Sequence, residues 1–442
     1  MKKMNRRQIV KAMAATGVAV PFASSLTGCT ATGTSSAKPQ LNAAKAQQRV
    51  VVIGGGFAGA TVAKYVKHFS ANIDVTLVEP KKTYMTCPGS NWYLAGITDA
   101  KSITQDYSAM KNKHNVNVIH EMVENINAES KEVTLESGGV LGYDHLVVSP
   151  GIDFKYDMIE GYTPEVAATT MPHAYQAGPQ TDLLHKQLRE MKQGGTFVIA
   201  PPPNPFRCPP GPYERVSLVA SFFKENNPTA KIVILDSKNK FSKFGLFKEG
   251  WEEQGYNDMI TFVPAIEGGV VTKVDPKTMT VYSEYGNIKA DVANIIPPQK
   301  AGKLAFTAGL VDDSGWCPVN QETFESMIHR DVYVVGDASI AGRMPKSGHS
   351  GSSQGKMCAA AIVSKINNWA MPRPKNTNTC YSLVSKDYGI SVAAVYEMQD
   401  GIIGKVKGAG GVSPMGADAG VRKMEANYAR GWYKSITANT WG

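Results

Sequence analysis

Metal-binding spacings are missing from this chain. Its 442 residues contain no CxxC pair, no CxxCH motif for haem attachment and no His/Cys cluster at ligand spacing. Zinc, iron–sulfur and resident haem chemistry are therefore set aside. Blocks of Lys and Arg are also scarce beyond the first residues. Residues 1–28 hold five basic and no acidic residues (Lys2, Lys3, Arg6, Arg7, Lys11), so the formal charge of +9 drops to +4 without them. That balance leaves no electrostatic footprint for nucleic acid. Disorder is equally disfavoured, because 43% hydrophobic and 19% charged residues are ordinary for a globular chain of two or three domains.

What is present begins with MKKMNRRQIVKAMAATGVAVPFASSLTGC, residues 1–29. Adjacent arginines followed by a mildly apolar Ala/Val-rich run read as an export signal, and NRRQIVK looks like the twin-arginine class, whose cargo crosses already folded. The run is too short and too weakly hydrophobic for a transmembrane helix. LTGC resembles a lipoprotein processing box with Cys29 as lipid acceptor. A cleavage region that happens to contain a cysteine is the equal alternative. The expected location is periplasmic, and residues 30–47, small and polar, read as a linker.

The stretch RVVVIGGGFAGATVAKYVKHF carries a β-branched apolar run, then Gly54, Gly56 and Gly59 in GxGxxG spacing, then a helix-like segment. A second apolar run, Asp74 to Val78, ends at Glu79, 20 positions beyond the last glycine. This is the context a dinucleotide site requires. Gly54 permits the tight turn, Gly56 lets backbone approach the pyrophosphate and Gly59 allows helix–strand contact. The helix N-terminus favours phosphate, and Glu79 can accept from a ribose. Much later comes Asp331-Val-Tyr-Val-Val-Gly336-Asp337, which resembles the second flavin fingerprint of the disulfide-reductase-like flavoproteins. YDHLVVSPG, residues 143–151, resembles their connecting motif. That resemblance implies FAD, with Asp337 on the ribityl chain.

Between these motifs lies a second α/β unit, with runs at 194–200, 231–236 and 291–296. Its first strand enters PPPNPFRCPPGP instead of a glycine fingerprint. Prolines donate no N–H to a pyrophosphate, so NAD(P)H binding is not expected. The loop instead fixes a cysteine, Cys208, and thiol–disulfide redox chemistry beside a flavin becomes the natural reading. Its partner is left open by the residues themselves. Cys358 sits among helix formers and reads as a buried inert thiol. Cys317 and Cys380 both remain, the latter opening a strand-like segment of a C-terminal domain.

The matching stretches TYMTCPGSN, RCPPGPYERVS, ILDSKNKFSK, GWCPVNQETFES and NTCYSLVSKDYGISVAAVY span nearly all of the mature chain. Together they resemble the flavoprotein subunit of flavocytochrome c sulfide dehydrogenase, a relative of sulfide:quinone oxidoreductase. The resemblance implies sulfide oxidation to polysulfide or elemental sulfur, a redox-active Cys208–Cys380 disulfide and FAD joined covalently through Cys87. Pro88-Gly89 departs from the bulkier pair expected after that cysteine. It also implies electron transfer to a c-type cytochrome, with haem on the partner subunit only. Glu214 is a proton acceptor or a loop anchor paired with Arg207 or Arg215. Lys346 holds an anionic flavin, attracts sulfide or is simply solvated. Trp432, Tyr433 and Trp441 read as packing or partner contacts. A quinone-reducing enzyme would want an amphipathic C-terminal helix, and no clear helical stripe is read there. A non-enzymatic exported flavin carrier is the other alternative.

The expected fold is α/β, with two Rossmann-like dinucleotide-binding domains, the FAD domain discontinuous, and a small C-terminal α+β domain. Its boundaries are 48–155 and 291–372 for the FAD domain, 156–290 for the second Rossmann-like domain and 373–442 for the last.

Overall fold

The computed structural model describes residues 47–442. The expected export signal, Cys29 and all of the linker but residue 47 lie outside the described residues.

The first sheet is parallel and is built around β1 (Arg49–Ile53), with β2 (Asp74–Val78) and β3 (Asn117–Ile119) on one side. On the other side lie β4 (His145–Val148) and, from far along the chain, β5 (Val332–Val334). Val51 faces Thr76 in one neighbour and Leu146 in the other. A central strand covered on both faces needs an unbroken apolar run, and VVVI supplies it. Helix α1 (Phe57–Phe69) follows the glycine turn. It packs on α2 (Gly348–Asn367), and a Cβ at Gly355 would sit 2.7 Å from the Ala58 carbonyl oxygen. The small residues of HSGSSQGK are thus what lets two helix backbones meet.

The second sheet is parallel as well, in the order β8–β7–β6–β9, where β6 is Thr196–Ala200, β7 Lys231–Leu235, β8 Ile260–Val263 and β9 Val292–Ile295. Strand β9 corrects the expected boundary: a domain ending at 290 cuts it from its own sheet, because it pairs with β6 across more than 90 residues. The return to the FAD domain comes at Gln299–Ala301, which pairs antiparallel with Ile152–Phe154. Helix α3 (Gly211–Asn226) begins directly after the proline loop.

The C-terminal part is an antiparallel sheet of β10 (Lys375–Ser385), β11 (Tyr388–Gln399) and β12 (Ile402–Val412), closed by helix α4 (Ala419–Thr440). The tail does carry a helical stripe, contrary to expectation: Ala426, Ala429, Tyr433 and Ile436 recur at three- and four-residue steps and are buried. Two alanines make the stripe hard to see in sequence, and it faces inward. Trp441 ends buried against the Phe57 ring, 4.8 Å between centroids, and its indole N–H donates to the Gly55 carbonyl at 3.0 Å. Among the described residues no helix is long and apolar enough to cross a membrane, and no group of three or more His, Cys, Asp or Glu is placed to hold a metal ion.

Candidate active site

One cavity of about 810 Å³ joins the three parts of the fold. Gly54, Gly56, Glu79, Gly336 and Asp337 contribute to its walls. So do Cys87, Cys208, Glu214 and Cys380. The glycine turn is tight for a visible reason: Gly54 has φ +96°, and a Cβ there would lie 2.3 Å from the Ser149 carbonyl oxygen. Gly59 stands behind the wall, where a Cβ would lie 2.0 Å from the Gly54 carbonyl oxygen, so only hydrogen fits between helix and turn. Glu79 accepts from the Gly55 N–H at 2.8 Å with one oxygen and from the Lys81 N–H at 3.0 Å with the other. Each oxygen keeps acceptor capacity for a further hydroxyl.

The proline loop holds Cys208 by its backbone. Its N–H donates to the Lys346 carbonyl at 2.7 Å, and its own carbonyl accepts from Gly211 N–H at 2.8 Å and from the Tyr175 hydroxyl at 2.9 Å. The residue adopts φ +52°, a left-handed conformation that these bonds hold in place. Cys380 arrives on β10 from the C-terminal sheet. Asn378 donates to its sulfur at 3.5 Å, and the Asn378 side-chain oxygen in turn accepts from Ser347 at 2.6 Å. Burial pushes the Cys208 thiol well up, with Cys380 and Glu214 adding to the effect. Burial raises Cys380 too, while Lys243 and the hydrogen bonds from Asn378 and Ser347 pull it back. The five described cysteines are all free thiols. Cys317 and Cys358 are fully buried and do not line the cavity, so of the candidate partners only Cys380 shares it with Cys208. Burial raises the Cys317 thiol to about 12.

Two expected roles change. Glu214 forms no ion pair with Arg207 or Arg215. Its buried carboxylate accepts from Asn91 Nδ2 at 3.0 Å, Trp92 Nε1 at 3.2 Å and Leu383 N–H at 3.0 Å, and thereby ties α3 to the strand that carries Cys380. Burial raises its pKa against those donors. Lys346 is neither solvated nor in the cavity wall. Its ammonium donates to the carbonyls of Asp337 at 2.7 Å and Ser339 at 3.1 Å and lies 3.8 Å over the Trp316 ring. Burial draws its pKa down to about 8. It is a clamp on the Gly336-Asp337 turn.

Arg207 has a role that the sequence pointed to only as a possible partner of Glu214. Its Nε meets Asp337 at 2.6 Å, its Nη1 meets the Tyr175 carbonyl at 3.3 Å, and Cys87 Sγ lies 3.9 Å from Nη1. The Cys87 thiol donates weakly to that same carbonyl at 3.7 Å. Lys243, buried behind Cys380, was missed entirely. Its only local signal is a place between Phe241 and Phe244, where an exposed lysine would not need aromatic neighbours.

The sulfide dehydrogenase (flavocytochrome c) flavoprotein chain of Chlorobaculum thiosulfatiphilum is 59% identical over 44 residues, which are 10% of this chain and 92% of that one. This chain belongs to the flavocytochrome c sulfide dehydrogenase flavoprotein family. The family's central-region model matches residues 181–297, its flavin-binding model residues 372–441, and the pyridine nucleotide-disulphide oxidoreductase model residues 48–188. Mitochondrial sulfide:quinone oxidoreductase of Mus musculus is 23% identical over 309 residues, covering 67% of this chain and 66% of that one. The Dictyostelium discoideum protein of the same name is 22% identical, covering 66% and 65%. This chain thus spans just under two thirds of the length of those two relatives. The solved structure of sulfide:quinone oxidoreductase from Aquifex aeolicus superposes with a TM-score of 0.71 at 18% identity, over 89% of this chain and 91% of that one, and shows the same fold. A flavin of this family fits the residues present. The N-cap of α1 is Gly56, with no side chain to satisfy the helix's first N–H groups, which leaves them for a phosphate. Glu79 offers ribose acceptors, and Asp337 stands at the turn after β5.

Proposed function

We propose that this chain oxidises hydrosulfide through a Cys208–Cys380 disulfide beside FAD and passes the electrons to a c-type cytochrome subunit that carries the haem. The observation that supports it is the meeting of two cysteines, from a proline loop and from a C-terminal strand 172 positions further on, in the wall of the cavity that also contains the glycine turn. When HS⁻ attacks one sulfur, the S–S bond breaks, a persulfide forms on that cysteine and the other leaves as thiolate, so the single negative charge is conserved. Bound FAD supplies a two-electron acceptor. The protein's part is to fix Cys208 by its backbone and to hold Cys380 against Asn378. Arg207 neutralises charge near Asp337, and Cys87 is the residue for covalent attachment, with Gly89 in a left-handed turn (φ +86°) beginning the next helix. The sulfur product is polysulfide or elemental sulfur. Export by the twin-arginine route to the periplasm completes the reading.

In the second domain the acidic residue after β7 is engaged by the domain's own side chains. Asp236, where an acidic residue would meet a ribose, is fully buried and bonded to the Tyr213 hydroxyl at 2.5 Å and Lys238 Nζ at 2.7 Å. The Phe241 ring stacks on Tyr213 at 3.4 Å. These contacts favour sulfide over NAD(P)H as the source of electrons.

Anaerobic titration of the holoprotein with sulfide is the test. The wild-type flavin is expected to bleach, to remain attached after denaturation and to be reoxidised by cytochrome c faster than by a quinone. Cys208→Ser is expected to lose the sulfide response by a hundredfold or more; a variant that bleaches like wild type would overturn the disulfide route. Loss of flavin on denaturation would overturn attachment through Cys87.

A further inference from the structure

A lysine is buried behind the two cysteines with no carboxylate to pair with. Lys243 is the left-handed residue (φ +62°) that starts helix Phe244–Glu253 of the second domain, and it is only 9% exposed. Its side chain crosses into the C-terminal sheet, where Nζ donates to Ser382 Oγ at 2.8 Å and to the Cys380 carbonyl at 3.4 Å. The Phe247 ring lies 5.6 Å from it. Among the described residues no Asp or Glu stands within ion-pair distance of this ammonium. The charged or titratable groups that face it are Cys380 on β10, Glu214 on α3, Cys208 on the proline loop and, more weakly, Glu425 on α4.

Two neutral acceptors do not account for a buried cation. A glutamine would satisfy Ser382 Oγ and a carbonyl without the desolvation that draws this lysine down to about 8. The placement gives the charge another purpose. Attack of HS⁻ on the disulfide moves one negative charge onto the departing cysteine sulfur in the cavity wall. Cys380 has the nearer claim on Lys243, because the ammonium bonds its own carbonyl, whereas Cys208 feels that cation only after Cys380, Glu214 and Cys87.

We infer that Lys243 is a positioning residue that pairs electrostatically with the sulfur of Cys380 when the disulfide opens, holding it as thiolate. The inference rests on the dithiol function proposed above. The step takes no proton from the lysine: below about pH 8 Lys243 is an ammonium, and the charge that HS⁻ brings ends on the Cys380 sulfur.

The test reads the thiol directly and needs no turnover. In dithiothreitol-reduced holoprotein, the rate of iodoacetamide alkylation at Cys380 is followed against pH by peptide-resolved mass spectrometry. Lys243→Gln keeps a donor for Ser382 and the Cys380 carbonyl and so preserves the fold. It is expected to move the Cys380 midpoint up by about one pH unit, a roughly tenfold loss of thiolate at neutral pH. Lys243→Arg is expected to restore most of the shift. A Cys380 midpoint unchanged in folded Lys243→Gln, or a shift that Lys243→Arg does not reverse, would overturn the inference. The harsher Lys243→Met serves as a second neutral variant, and its midpoint is expected to move in the same direction. If Cys208→Ser bleaches normally with sulfide, the disulfide route fails, yet the Cys380 midpoint still decides the role of Lys243, so the two failures are told apart.

Discussion

His173 shows at the scale of one residue how burial sets a charge state. It stacks on Phe154 at 4.0 Å and accepts from the Tyr175 N–H at 3.1 Å with Nδ1, while its Nε2 lies 3.1 Å from both the Tyr156 hydroxyl and the Gln180 side-chain nitrogen. Burial, then the charges of Arg215 and Arg207, lower its pKa to about 3. The folded form therefore holds a neutral imidazole where the unfolded chain protonates below about 6.5. The stability this group contributes is complete above pH 6.5 and drains away as pH falls toward 3, at up to about 1.4 kcal/mol per unit. Urea denaturation at a series of pH values should show a shallower acid decline in His173→Gln than in wild type, although the variant starts lower at neutral pH. Equal slopes would mean that the ring is reached by solvent. Glu214 was read in the sequence as a proton acceptor or an anchor paired with Arg207 or Arg215, and Lys346 as a holder of flavin, an attractor of sulfide or a solvated charge; the fold surrounds Glu214 with neutral N–H donors and Lys346 with backbone carbonyls. Nothing local marks such a residue; its partners are supplied by segments that only the fold brings near.

At the scale of elements, what could be read from sequence was what is local. Strand, glycine turn, helix and the acid after the second strand lie within residues 49–79, and the structure forms them with the geometry expected of the glycines. Strand β9 was given to the wrong domain because its hydrogen-bonded neighbour lies more than 90 positions away, and a four-residue apolar run names no partner. The stripe of α4 was hidden by alanines that are apolar enough to bury but too small to announce a face. Close helix contact makes a sharper prediction. Gly355→Val places side-chain carbon where α1 and α2 touch, with Ala58 O and the Thr61 side chain in the way. It should cost about 1–3 kcal/mol by overpacking. A fall in melting temperature is the measurement, and an unchanged one would mean the helices can separate at no cost.

At the scale of the whole molecule, the loop of one domain lines the cavity of another. Prolines follow β6, Asp236 is buried against Tyr213, Phe241 stacks on that tyrosine, and the loop carries Cys208 to the cavity wall, an arrangement that supports the proposal of sulfide and not NAD(P)H as the reductant. NADH or NADPH added anaerobically is accordingly expected to leave the flavin spectrum unchanged on the timescale of sulfide bleaching; rapid reduction by either would refute that account. The pairing of Cys208 with Cys380, by contrast, was not legible from spacing and rests on resemblance; the fold adds that both, as free thiols, line one cavity. The bond from the Trp441 indole to the Gly55 carbonyl reaches further still. The glycine turn forms from local sequence, but the side chain that fastens it from behind stands 386 positions away, so the wall of the cavity is finished by the residue that caps α4 and not by the strand and helix that carry the fingerprint.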